Sequence, residues 1–108
     1  MSDCLFCKII KGDIPCLKVY ENGEVFAFLD IQPVNVGHTL VVPRAHHENC
    51  GETPDAALGA LMSAAKRVGA AAMKVTGCQG YNIGINCGAA AGQVIMHTHV
   101  HVMPRFEG

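Results

Sequence analysis

The segment His97-Thr98-His99-Val100-His101-Val102 alternates strictly between histidine and a β-branched residue. Period-two alternation is the signature of a strand with two different faces. A strand over residues 96–103 is therefore expected, with His97, His99 and His101 on one face. Val100 and Val102 turn to the other face, into a core beneath a helix. A solvated strand face normally uses lysine, glutamate or threonine. A row of imidazoles titrating near neutrality points instead to chemistry, although a polar strand face and an adventitious metal tract are the alternatives.

The rest of the chain fits around that strand. Residues 3–11 read as a short helix with Asp3 as N-cap and Gly12 as its stop. Strands are expected over 17–20 and 24–30, joined by the hairpin signal Asn22-Gly23. A turn over 31–37 leads to a third strand, 38–42, stopped by Pro43. Thr53-Pro54 reads as a cap followed by proline at the first helical position. Leu58, Leu61, Met62, Ala65, Val68 and Ala72 then recur at helical spacing up to Gly77. Tyr81, Ile83 and Ile85 alternate with Asn82, Gly84 and Asn86 in a fourth strand, and residues 88–92 form a flexible loop. The fold class implied is α+β: a five-stranded antiparallel sheet, a long helix and a short N-terminal helix, with the helices on one face. At 108 residues the chain makes one domain, 1–108.

Charge and hydropathy exclude several classes. Eight basic and nine acidic residues leave a net charge of -1, so no affinity for nucleic acid or an anionic membrane is expected. No run of about 18 apolar residues suggests a span. The N-terminus lacks a basic segment followed by an apolar one, so no secretory signal is expected and a cytoplasmic address is the default. In that compartment the six cysteines are reduced thiols. Cys4-x-x-Cys7 is half of a tetrahedral zinc site. His46 or His47, with His97, could complete it. A redox dithiol and two buried thiols are the competing readings. Cys16, Cys50, Cys78 and Cys87 have no evident partner.

A neutral imidazole whose Nδ1–H is held by a carbonyl presents its Nε2 lone pair, which can attack phosphorus and form a phosphoryl–histidine intermediate. Neighbouring rings and amides can then spread the developing charge.

At this point the chain resembles the histidine triad (HIT) family, in its Hint-like branch. The resemblance rests on His97–Met103 and on Ala91-Gly92-Gln93. It extends to Asp30-Ile31-Gln32-Pro33, to Gly37-His38-Thr39-Leu40-Val41-Val42-Pro43 and to the opening 4–15 segment. It implies hydrolysis at the α-phosphorus of a purine nucleotide, with phosphoramidates the first substrate class. Dinucleoside polyphosphates are a second, and a non-catalytic nucleotide-binding module is a third reading. By the same resemblance His99 is the nucleophile and His101 contacts the phosphate and handles protons. His38 and His97 order the row. Asn86 and Gln93 bond the phosphate or leaving group, and Asp30 takes the ribose hydroxyls. Leu5, Phe6, Ile9, Ile14, Phe28, Ile31 and Leu40 form the base slot. On the residues alone, Asp30 is a turn residue and these apolar side chains are core. Val94 stands where many relatives carry a hydroxyl, and many relatives run on beyond residue 108. The resemblance also implies a structural zinc on Cys4, Cys7, His46 and His97, as in bacterial members, and a homodimer.

Overall fold

A computed structural model describes residues 3–108. Five strands form one antiparallel sheet: β1 (Lys18–Glu21), β2 (Val25–Leu29), β3 (Thr39–Pro43), β4 (Gly80–Ile85) and β5 (Val100–Arg105), in the spatial order β1-β2-β3-β5-β4. Helix α1 spans Leu5–Lys11 and α2 spans Asp55–Thr76, while single 3-10 turns cover Cys50–Glu52 and Ala89–Ala91.

The expected fold class stands, but the two helices lie on opposite faces of the sheet. The cause is visible in β2, where four consecutive residues are buried. Val25 and Ala27 join Val41, Val100 and Val102 against Leu61, Ala64, Ala65 and Val68 of α2. Phe26 and Phe28 join Leu40 and Val42 against Phe6 and Ile9 of α1. A strand apolar on both sides needs a cover on both sides, and the short amphipathic α1 supplies the second.

Several boundaries differ from the sequence expectations for local reasons. The N-cap of α1 is Cys4, not Asp3: its sulfur accepts the Cys7 backbone N–H at 3.4 Å. Gly12 and Gly77 do end the helices, both in the left-handed region. The Asn22-Gly23 hairpin closes with negative φ at both residues. The Asn22 side chain instead accepts from the Glu24 and Val25 N–H groups at 2.8 and 2.9 Å. Pro43 is the last residue of β3 rather than its stop, paired with Val25. Pro54, not Thr53, is the N-cap of α2, and the helix start has no side-chain cap. The Thr53 hydroxyl bonds Asn49 and Thr98 instead. Met62, one of the residues at helical spacing, is 52% exposed and stands outside the core.

The largest difference concerns the histidine segment. Strand β5 begins only at Val100, so His97 and His99 lie on an irregular approach to the strand rather than on it. Val100 and Val102 do point into the α2 core, as the alternation predicts.

Helix α2 sits close to the sheet at Gly69, where an added Cβ would overlap the Tyr81 ring. Alanine gains about 1 kcal/mol of helix propensity over glycine, whereas overpacking costs about 1–3 kcal/mol. Gly69→Ala is therefore expected to lower the urea midpoint at unchanged m. A raised midpoint would show that Tyr81 moves aside freely.

Candidate active site and metal centre

On the α1 face the sheet carries a cavity of about 460 Å³. All seven residues of the expected base slot line it: Leu5, Phe6, Ile9, Ile14, Phe28, Ile31 and Leu40. Asp30, Asn86, His99 and His101 open onto the same space. Phe6, Ile9, Phe28 and Leu40 are also core, so for them the two readings coincide: the apolar cluster under α1 supplies part of the cavity wall. Ile31 stands at the mouth, 92% exposed, and Val94 likewise borders the cavity at its rim. The sequence reading missed Cys16 and Ile95 as lining residues. Their signal was adjacency to Ile14-Pro15 and to Gln93-Val94.

Hydrogen-bond partners fix which nitrogen of each imidazole carries its proton. His99 Nδ1 lies 2.7 Å from the His97 carbonyl, which can only accept. The proton is thus on Nδ1, and Nε2 keeps its lone pair. The Val34 N–H donates to His38 Nδ1 at 3.0 Å, so His38 carries its proton on Nε2. That nitrogen is 3.0 Å from His101 Nδ1 and donates to it. His101 is left with Nε2–H as a donor. Residues 99 and 101 therefore offer opposite functions side by side, with ring centroids 5.1 Å apart: a lone pair on one and an N–H on the other.

Burial reinforces this arrangement. It pushes the pKa values of His38 and His101 below the ordinary histidine value. Asp30, whose Oδ2 is 3.7 Å from His38 Nε2, pulls both upward but is outweighed. At neutral pH both rings are then neutral, which the donor chain from Val34 to His101 requires.

Gln93 departs from its expected role. It is buried, and its Nε2 donates to the Glu48 and Ile95 carbonyls at 2.6 and 3.0 Å. Its Oε1 accepts from the Gly88 N–H at 2.8 Å. Both amide hydrogens are committed to backbone, so Gln93 braces the loop and has no hydrogen to give a phosphate. Asn86 lines the cavity, and the Asn86 amide lies against Gly92.

His97 is fully buried and faces away from the cavity. Its Nε2 bonds the Pro43 carbonyl at 2.9 Å, which leaves the lone pair on Nδ1. That atom is 3.3 Å from Cys4 Sγ and 3.6 Å from Cys7 Sγ, and Cys7 Sγ is 3.4 Å from His46 Nδ1. Cys4, Cys7, His46 and His97 place their four ligand atoms within 4.8 Å of one another. Tetrahedral zinc with ordinary Zn–S and Zn–N bonds requires sulfur–nitrogen edges of roughly 3.6 Å. The donor set therefore fits, and of the two candidates it is the His46 ring that reaches it. Burial first, and the neighbouring Cys4 sulfur second, raise the Cys7 thiol pKa. A cation would reverse that by drawing the pair into the thiolate form.

Asp30, His38 and His101 also cluster at ligand-like distances. There the second nitrogen of His38 accepts from a backbone N–H, so Nε2 holds a proton and cannot coordinate.

This fold and this histidine arrangement define a family, and the chain belongs to it: residues 11–108 match the HIT domain. An adenylylsulfatase of Arabidopsis thaliana is 45% identical over 98% of this chain, which spans about half (54%) of that relative's length. An adenosine 5'-monophosphoramidase of Schizosaccharomyces pombe is 40% identical over 94% of this chain and 74% of its own. A solved zinc-bound histidine triad family protein from Mycobacterium smegmatis superposes with a TM-score of 0.96 at 38% identity, covering 99% of this chain and 78% of that one. Among the described residues, no helix is long and apolar enough to cross a membrane.

Proposed function

We propose that this chain hydrolyses a bond at the α-phosphorus of a purine nucleotide, with phosphoramidates the first substrate class. The observation that carries the reading is the free Nε2 of His99 at the wall of the 460 Å³ cavity, beside a donating His101. The base lies among Phe6, Ile9, Phe28 and Leu40. Asp30 accepts from the ribose diol, a task suited to a two-oxygen anion. Asn86 and His101 Nε2–H bond the phosphate oxygens. His99 Nε2 attacks phosphorus, the phosphorus–nitrogen bond breaks, and the amine departs with a proton that His101 is placed to supply. Water then attacks the nucleotidyl-histidine, releasing the monophosphate and restoring His99. His38 orients His101, and His97 orients His99 through its carbonyl. An adenylyl sulfate presents the same phosphorus with a different leaving group. The name of the plant relative favours it as a second substrate.

AMP release from adenosine 5'-phosphoramidate is expected from the wild type and should fall by more than about a thousandfold in His99→Asn. Turnover surviving in the variant would mean that another residue is the nucleophile. If neither protein turns over, diadenosine polyphosphate is the next substrate. Failure there too would leave a nucleotide-binding module.

Zinc is proposed as a structural ion on Cys4, Cys7, His46 and His97. Four protein ligands leave no open position, so it would supply rigidity and not Lewis acidity. Protein purified without added zinc should contain nearly one zinc per chain, and chelation should lower its Tm. Little zinc, with Cys4 and Cys7 freely alkylated, would sink the assignment.

A homodimer through the β4 edge completes the reading. Among the described residues, strand β4 has no neighbour on its outer side. Beside it lies an apolar cavity of about 270 Å³ lined by Leu58, Met62, Ile83 and Ile85. Sedimentation at micromolar concentration should report a dimer, and a monomer there would overturn this part.

A further inference from the structure

We propose that Thr98 is a positioning residue for His99, an inference that rests on His99 being the nucleophile. The ladder between β3 and β5 runs only from Val100 onward, so no strand partner among the described residues holds residues 97–99. Beside the His97 ring on the Pro43 carbonyl, their backbone is anchored at one peptide group. The amide joining His97 to Thr98 donates its N–H to the His47 carbonyl at 2.8 Å. Its C=O accepts the His99 Nδ1–H at 2.7 Å. A peptide unit is planar, so aiming its N–H at His47 also aims its carbonyl at the nucleophile's ring. Donation at one end further polarises the acceptor at the other.

The Thr98 hydroxyl secures that plane. Its oxygen lies 3.2 Å from the same His47 carbonyl and 2.7 Å from the Thr53 hydroxyl, which lies 2.7 Å from the Asn49 carbonyl, so two hydroxyl hydrogens are shared over three contacts. Thr98 and Thr53 are 1% and 6% exposed. The pair ties the 47–53 loop to the segment bearing the nucleophile, in a place where water cannot substitute for a lost partner. Thr98 occupies the alternation position where an apolar side chain would serve packing alone, so the hydroxyl adds the constraint.

Thr98→Val should lower kcat for adenosine 5'-phosphoramidate by roughly tenfold, with KM within about twofold of wild type, because orientation and not binding is lost. Thr98→Ser should restore most of the rate. Thr53→Val should act in the same direction, and the double valine variant should fall no further than Thr98→Val alone. A readout independent of turnover is the His99 Nδ1–H proton resonance, assigned by its loss in His99→Asn. It should be slowly exchanging in wild type and Thr98→Ser and lost or broadened in Thr98→Val. If Thr98→Val does not fold, Thr53→Val carries both measurements. Unchanged kcat and resonance would overturn the inference, as would a rise confined to KM. If the wild type turns over no nucleotide, the proposed function fails, and the resonance alone still decides the role of Thr98.

Discussion

Everything at this site depends on how the second nitrogen of each imidazole is occupied. Histidine is ambivalent in isolation, since either nitrogen can carry the proton. Here three backbone groups remove the ambiguity. The His97 carbonyl places the His99 proton on Nδ1, the Val34 N–H places the His38 proton on Nε2, and the Pro43 carbonyl places the His97 proton on Nε2. One ring keeps a free lone pair and its neighbour an N–H to donate, with no charged group needed to set the pattern. Because burial holds His38 and His101 neutral, the pattern survives at the pH where both functions are wanted.

The two-sided sheet explains how such a site can be walled by so small a chain. Helix α2 fills one face of β2, β3 and β5, and α1 covers the other with only seven residues. Phe6 sits between the two cysteines in sequence. Its ring meets Phe28, His97 and His99 edge-on, with centroids 5.5, 5.8 and 5.1 Å away. The helix that forms the cavity wall is therefore also the helix that brings Cys4 and Cys7 to His46 and His97. A helix of two turns is marginal by itself. Fastening its first turn to the sheet is the economical way to keep the wall in place.

Much of the fold was legible because its signals are local. Turn residues, the 3.6-residue spacing of Leu61, Ala65, Val68 and Ala72, and the alternation of Val100 and Val102 each depend on near neighbours. What was not legible depends on partners distant in sequence. Thr53 reads as a helix cap, but a threonine 45 residues away claims its hydroxyl. Gln93 reads as a phosphate ligand, but Glu48 and Gly88 consume its amide. The alternation of histidines suggests that all three share a strand face. Only His101 lies on the strand, while the His97 ring is taken up by the Pro43 carbonyl 54 residues away.

The two histidine-containing clusters show why ligand-like spacing alone does not identify a metal site. Cys4, Cys7, His46 and His97 and the trio Asp30, His38 and His101 meet the same distance criterion. They differ in what lies behind the ring. Behind His97 a carbonyl accepts, so the lone pair faces the thiols. Behind His38 an amide donates, so a proton faces His101. Coordination at His38 would need either loss of the Val34 bond or an imidazolate. The same residue type thus turns a lone pair toward the thiols on one side of His99 and a proton toward His101 on the other, and a single backbone group decides which.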